Sequence, residues 1–197
     1  MCRPASMIVT KDRVFWSKRT NSHDEIRAEF GLTEQGVRGV TTVPVEIVPP
    51  DETNYAAPLE EWRFVVDLEE RLCPEWFDAA TVEAAVRREL PAWVAHWLVL
   101  PGQVRGVRGG SVIAAGGTVT AYHSSTVTAC GSSTVTACDS STVKAHDSST
   151  VTAYHSSTVT ARDSQYTVII DRRNGIPTCH VGLYEAACQP KENDRDD

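Results

Sequence analysis

An eight-residue motif, S-S-T-V-T-A-x-x, runs almost unbroken over residues 117–165 and makes about a quarter of the chain periodic. Val119, Val127, Val135, Val143, Val151 and Val159 keep its register without a slip, as do Ala121, Ala129, Ala137, Ala145, Ala153 and Ala161. Self-similarity at a fixed short period marks a stacked repeat, in which each unit buries its apolar face against its neighbours. T-V-T-A is β-rich and alternates in polarity, which reads as a short strand. The S-S pair, with His, Asp or Gly before it, reads as a turn.

An octad is therefore one strand and one corner. At ~3.3 Å per strand residue one octad is too short to wrap around its own side chains, so two octads form a coil of sixteen residues. Corner dipeptides do not test this, because Tyr122-His123 recurs at Tyr154-His155, a multiple of both periods. Alternation sends Ser125, Val127 and Ala129 to one face and Thr126 and Thr128 to the other. The inner face must carry valine, so the threonines face outward. The outward rows are Thr118, Thr120, Thr126, Thr128, Thr134, Thr136, Thr142, Thr150, Thr152, Thr158 and Thr160, with Lys144 in place of the second threonine of the fourth octad.

Such a core is thin, since each buried valine contributes only about 1.5–3 kcal/mol, and backbone ladders and stacked serine hydroxyls must carry much of the order. A solenoid of about three coils also exposes two sheet ends that pair with other chains unless capped. Residues 109–117 read as a degenerate first turn, with Val112 one residue out of register. Residues 166–171 form a stronger apolar strand that leads through Arg173-Asn174-Gly175, a hairpin signal, into residues 178–184.

The unit at 121–129, A-Y-H-S-S-T-V-T-A, resembles the repeat of bacterial ice nucleation proteins in its leading alanine, nearby tyrosine and S-T-x-T-A core. It lacks the glycines that flank the tyrosine in that family and carries Cys, His or Arg at some corners. The resemblance implies a β-solenoid with T-x-T rows and water ordering on the threonine face. A second resemblance covers more of the chain. Met1-Cys2-Arg3-Pro4, Val14-Phe15-Trp16, Ser22-His23-Asp24-Glu25-Ile26 and Val43-Pro44-Val45-Glu46 are similar to a group of poorly characterised bacteriophage and actinobacterial proteins that join a small head to a tail of degenerate short repeats. It carries over no catalytic residue.

The organisation expected is an α+β head at 1–108, an octad-repeat β-solenoid at 109–165, a capping strand and hairpin at 166–188 and a disordered acidic tail at 189–197. In the head, residues 7–10 and 14–17 alternate around Lys11-Asp12 as a hairpin. Ser22 to Glu25 has a capping-box pattern opening a helix that Gly31 ends. Residues 43–48 and 62–66 are the next strands. Asp78 caps a helix over 79–90, whose apolar face holds Val82, Ala85, Val86 and Leu90, and Pro91 starts a second helical stretch through Trp97.

A net charge of −7 argues against a general nucleic-acid binder. The N-terminus lacks the apolar run of a signal peptide, and the longest apolar stretch, residues 93–100, is too short to span a bilayer. The expected compartment is the cytoplasm, where six cysteines read as reduced thiols. No cofactor and no metal site are expected. Cys130 and His146, stacked one coil apart, offer too few converging ligands, Cys179-His180 and Cys188 are too sparsely spaced, and His123, Asp139 and His155 read as solvated corner residues. The five tryptophans, Trp16, Trp62, Trp76, Trp93 and Trp97, all belong to the head and read as core or as packing against the solenoid.

Three functional classes fit. The first is a non-enzymatic accessory protein of the phage type, whose head recognises a protein partner while the solenoid serves as a spacer or self-association arm. Tyr122 and Tyr154, in one outward column with Cys138, are the candidate contact for a homo-oligomer. The second is binding of ice or ordered water by the threonine rows, weakened by Lys144 and the short array. The third is a hydrolase in which Cys2, exposed as the N-terminal residue after removal of Met1, supplies a thiol beside a free amine; the plain alternative is a small residue packed at the start of the hairpin.

Overall fold

The computed structural model describes residues 5–36, 39–51, 54–161, 167–172, 178–181 and 184–186; of residues 35–40 and 178–186 only the backbone is considered. The head is built on an antiparallel sheet. Strand β1 (Ala5–Val9) pairs with β2 (Val14–Phe15) through a turn in which the Thr10 N–H donates to Arg13 O at 2.9 Å. Helix α1 (His23–Phe30) follows and closes at Gly31, whose φ of 63° is the left-handed conformation that glycine adopts without strain. Ser22 stands at the N-cap but makes no side-chain cap bond. Glu25 instead accepts from the Thr20 hydroxyl, and the Ser22 N–H donates to that Thr20 oxygen, so Thr20 stands between the two groups that a capping box would pair directly.

Two short strands, β3 (Gln35–Gly36) and β4 (Gly39–Val40), precede β5 (Val43–Val48) and β6 (Arg63–Val66). The main head sheet runs in the order β2-β1-β5-β6. Helix α2 (Ala79–Trp97) is capped by the Asp78 carboxylate, which accepts from the Thr81 N–H at 2.9 Å. It continues through Pro91, where a break was expected. A helix-interior proline costs about 3 kcal/mol. Val82, Val86, Leu90, Trp93 and Trp97 lie on one buried face, each contributing about 1.5–3 kcal/mol, so continuity wins. The indole N–H groups also find acceptors: Trp93 donates to Asn21 Oδ1 at 3.3 Å and Trp97 to Ser17 O at 2.9 Å.

The chain leaves α2 directly into β7 (Leu98–Val99), the first rung of a β-solenoid. Then follow β8 (Val104–Arg108), β9 (Ser111–Ala115), β10 (Thr118–Tyr122), β11 (Thr126–Cys130), β12 (Thr134–Ala137), β13 (Thr142–Ala145), β14 (Thr150–Ala153), β15 (Thr158–Ala161) and β16 (Val168–Asp171). One parallel sheet stacks β8, β10, β12, β14 and β16; the other stacks β7, β9, β11, β13 and β15. Strands β17 (Thr178–Val181) and β18 (Tyr184–Ala186) add antiparallel to β16 and β15 and form the last strand of each sheet.

The register gives the coil its length. Val119 pairs with Val135 and Val135 with Val151, while Val127 pairs with Val143 and Val143 with Val159, each step sixteen residues. The solenoid makes about four turns, one more than the octads alone suggest, because β8 and β9 complete a turn without the motif. Val112 pairs with Val127 at a spacing of fifteen, which accounts for its apparent slip. Gly117 precedes the first T-V-T-A unit because a Cβ there would lie 2.5 Å from Val99 O and 2.6 Å from Leu100 O.

Every repeat valine and alanine from Val119 to Val159 is fully buried, and Ser125, Ser133, Ser141, Ser149 and Ser157 line the same interior. Ser125 donates to Tyr122 O at 2.8 Å and Ser133 to Ala114 O at 2.6 Å, whereas among the described residues the Ser141 and Ser149 hydroxyl oxygens have no hydrogen-bond partner. Corner residues are equally specific. His123, Asp139, Asp147 and His155 hold φ of 53–55° and Gly131 of 61°, a region that Gly, Asp and His enter more readily than other residues.

Head and solenoid share one core, since Met7, Leu90, Trp93, Leu98, Ile113 and Cys130 belong to the same buried cluster. Among the described residues no helix is long and apolar enough to cross a membrane.

Candidate functional surfaces

The two solenoid faces differ. On the β10-β12-β14 sheet, Thr118, Thr134 and Thr150 form one row and Thr120, Thr136 and Thr152 another, in direct register and without interruption. On the opposite sheet Thr126, Thr142 and Thr158 align, but the second row reads Thr128, Lys144, Thr160. Lys144 thus breaks one face only. The head also covers part of that face, because Thr126 and Thr128 line a cleft of about 250 Å³ with Asn21 and Trp97.

Tyr122, Cys138 and Tyr154 occupy one corner of successive coils, all half-buried. The Arg108 guanidinium lies over the Tyr122 ring at 5.5 Å. Burial, and then the Asp139 carboxylate, push the Cys138 thiol above its ordinary pKa, so it stays protonated and unreactive. Beside it His123 Nδ1 lies 3.4 Å and His155 Nδ1 3.9 Å from the Asp139 carboxylate. Asp139 also accepts the His123 N–H at 3.3 Å, and Asp147 accepts the Gly131 N–H at 2.9 Å. Each aspartate thus satisfies a left-handed corner one coil below it. Among the described residues no three His, Cys, Asp or Glu side chains converge to hold a metal ion.

A cleft of about 530 Å³ lies on the head between the β1-β2 hairpin and the first half of α2. Phe15, Trp16, Phe30 and Trp76 line it together with Lys11, Arg13 and Arg88 and with the carboxylates of Asp12, Asp78 and Glu89. Phe15 and Phe30 meet at 5.2 Å with their rings tilted by 51°, the Arg13 guanidinium sits 5.0 Å from the Phe15 ring, and the Trp16 N–H donates to Glu89 at 3.3 Å. Phe30 is 40% exposed. A surface that sets one exposed and three half-buried rings among charges of both signs suits a peptide or protein segment. Trp16 and Trp76 also pack against the head core, as expected, and the aromatic cluster forms only when residues some 60 positions apart meet.

Cys2 and Cys188 lie outside the described residues, and of Cys179-His180 only the backbone on β17 is described. Cys73 and Cys138 are free thiols. Cys130 is disulfide-bonded, which corrects the expectation of six reduced thiols; the other sulfur lies outside the described residues. The repeat does not distinguish the two T-A-C units, yet Cys130 falls on the corner buried in the head core and Cys138 on the open one.

No protein-family model, no curated protein and no solved structure matches this chain. Its class is therefore defined by its own fold, an α+β head continuous with a four-turn β-solenoid.

Proposed function

We propose that the chain is a non-enzymatic accessory protein of the phage type, whose head holds a segment of a protein partner and whose solenoid is a rigid spacer. The observation that carries this is the head cleft, where four aromatic rings line one opening of about 530 Å³ beside three cations and three carboxylates. The shared core and the direct passage from α2 into β7 support rigidity, since the arm has no linker about which to swing. Strands β17 and β18 leave one edge on each sheet, and the Tyr122 and Tyr154 corner is half-buried, so self-association belongs to the same proposal. The site of action in this proposal is the cytoplasm of a bacterial cell.

The test is capture from bacterial lysate with the full chain, beside Phe30→Glu with Arg88→Glu and, separately, Thr134→Lys with Thr136→Lys. The cleft pair should lose the captured protein and the solenoid pair retain it. Equal retention by both, or capture by neither the parent nor the variants, would refute the cleft as a partner site.

Binding of ice or ordered water is a second reading, favoured by one observation: the six threonines of the β10-β12-β14 face stand in unbroken register, with Lys144 on the other sheet. Thermal hysteresis that disappears in Thr136→Lys and survives Thr128→Lys would support it.

A further inference from the structure

Five cations gather where the head meets the solenoid, although the chain carries a net charge of −7. Lys18, Arg105 and Arg108 line a cleft of about 520 Å³ at the first corner of the solenoid. Arg19 and Lys144 line the adjoining cleft of about 250 Å³ on the β9-β11-β13 face. The two share Ser111 and Val112, and Lys18 and Arg19 are consecutive, so they form one groove. Among the described residues Glu25 is the single carboxylate lining it, and that group already accepts from the Thr20 hydroxyl. Among the described residues no acidic side chain pairs with any of the five cations.

Several of these charges are held in place. Arg105 donates to His96 O at 2.7 Å and to Ala95 O at 2.8 Å, which fixes its guanidinium at the end of α2. His96 Nε2 lies 2.8 Å from Lys18 O and ties the 18–19 segment to the same helix. Arg108 rests on the Tyr122 ring. Gly106, Gly109 and Gly110 leave the backbone between them bare of side chains. Lys144 is the sole departure from threonine among the twelve outward repeat positions, and it falls on the face that the head overhangs.

We infer that this groove is a binding site for an extended phosphate-bearing oligoanion. Cations collected along one groove without paired carboxylates repel one another until an anion enters, and a cleft lined by one sign of charge raises the local concentration of the opposite one. Hydroxyls of Ser111, Thr126 and Thr128 line the same groove and add neutral donors for phosphate oxygens. Lys144 on β13 stands two strands from β9, about 10 Å at the usual strand spacing, and Arg108 lies beyond the corner on β8. One orthophosphate cannot bridge the about 10 Å between β9 and β13, whereas a linear chain of three phosphates is of that length. The site is separate from the head cleft and does not depend on it.

Calorimetric titration of the full chain with inorganic tripolyphosphate tests this, beside orthophosphate and a short single-stranded oligonucleotide. The informative variant is Lys144→Thr, which restores the residue of the repeat and leaves its strand intact. Arg19→Gln tests the facing wall, and Arg63→Gln on exposed β6 removes an equal charge elsewhere. Tripolyphosphate should bind the parent chain at one site, more tightly than orthophosphate. Lys144→Thr and Arg19→Gln should each weaken it roughly tenfold, the scale of one charge-assisted hydrogen bond, and Arg63→Gln should leave it unchanged. Unaltered affinity in Lys144→Thr, an equal loss in Arg63→Gln, or orthophosphate binding as tightly as tripolyphosphate would overturn the inference, as would oligonucleotide binding without tripolyphosphate binding.

Discussion

Glu46 on β5 is a carboxylate that the fold works against. Its pKa is raised, chiefly by burial and further by Asp67, while His23 and the Ser6 hydrogen bond pull it back down. With the folded value above the unfolded one, the unfolded chain releases its proton first as pH rises, and stability falls across the interval between the two. Glu46→Gln keeps a hydrogen-bonding partner for Ser6 without the charge. It should stabilise the chain at pH 7 by under ~1 kcal/mol after solvent screening, with the gain vanishing below about pH 4. Melting curves across that range check it, and a gain independent of pH would assign the effect to packing instead. Cys130 makes the second residue-scale prediction. Reductant should lower the melting temperature of the parent chain and leave Cys130→Ala unaffected, the difference corresponding to about 2–4 kcal/mol. Coincident melts with and without reductant would contradict a stabilising bond.

Within the solenoid, inward and outward positions of one strand should respond differently. Val135 is fully buried and Thr136 faces outward on the same strand. Val135→Ala should cost about 2 kcal/mol, and Thr136→Ala should stay within about 0.5 kcal/mol; equal costs in denaturant unfolding would mean that the faces are assigned wrongly. At the corners, Asp147→Val puts a β-branched residue at φ 55° and removes the acceptor of the Gly131 N–H, so a loss of about 1–3 kcal/mol is expected. These elements were the legible part of the chain. Period-two alternation gives the face of Val135 and Thr136, and strand length against coil circumference gives sixteen residues. The helix carrying Pro91 was not legible as one piece, because a local stop signal competes with the buried spacing of Leu90, Trp93 and Trp97, which tertiary packing decides. Thr20 likewise displaced Ser22 as the partner of Glu25 through a contact that no capping pattern specifies.

For the whole molecule, the join between head and solenoid was the feature least visible in sequence. Leu98 and Val99 belong to the apolar stretch 93–100, just past the helical stretch expected to end at Trp97, yet they begin a sheet, and β8 and β9 complete a coil that carries no octad. The head cleft was equally hidden, since Phe15, Phe30 and Trp76 become neighbours only through packing, whereas the threonine rows could be written down in advance. The two-octad coil makes a prediction at this scale. Deleting residues 134–149 removes one full turn and should leave a cooperatively folded chain, because each turn contacts only its neighbours. Deleting residues 142–149 alone would move each later octad and the β16 to β18 cap onto the opposite sheet, and the cooperative melt should be lost. Similar melts for both deletions would overturn the sixteen-residue coil. The central claim is that the head cleft holds a partner on a rigid arm, and hydrogen exchange of the full chain with and without its captured partner tests it most directly. Protection should appear in the β1-β2 hairpin, around Phe30 and over residues 76–89, with the repeat strands unchanged. Protection confined to the solenoid strands, or none in the hairpin and α2, would contradict it.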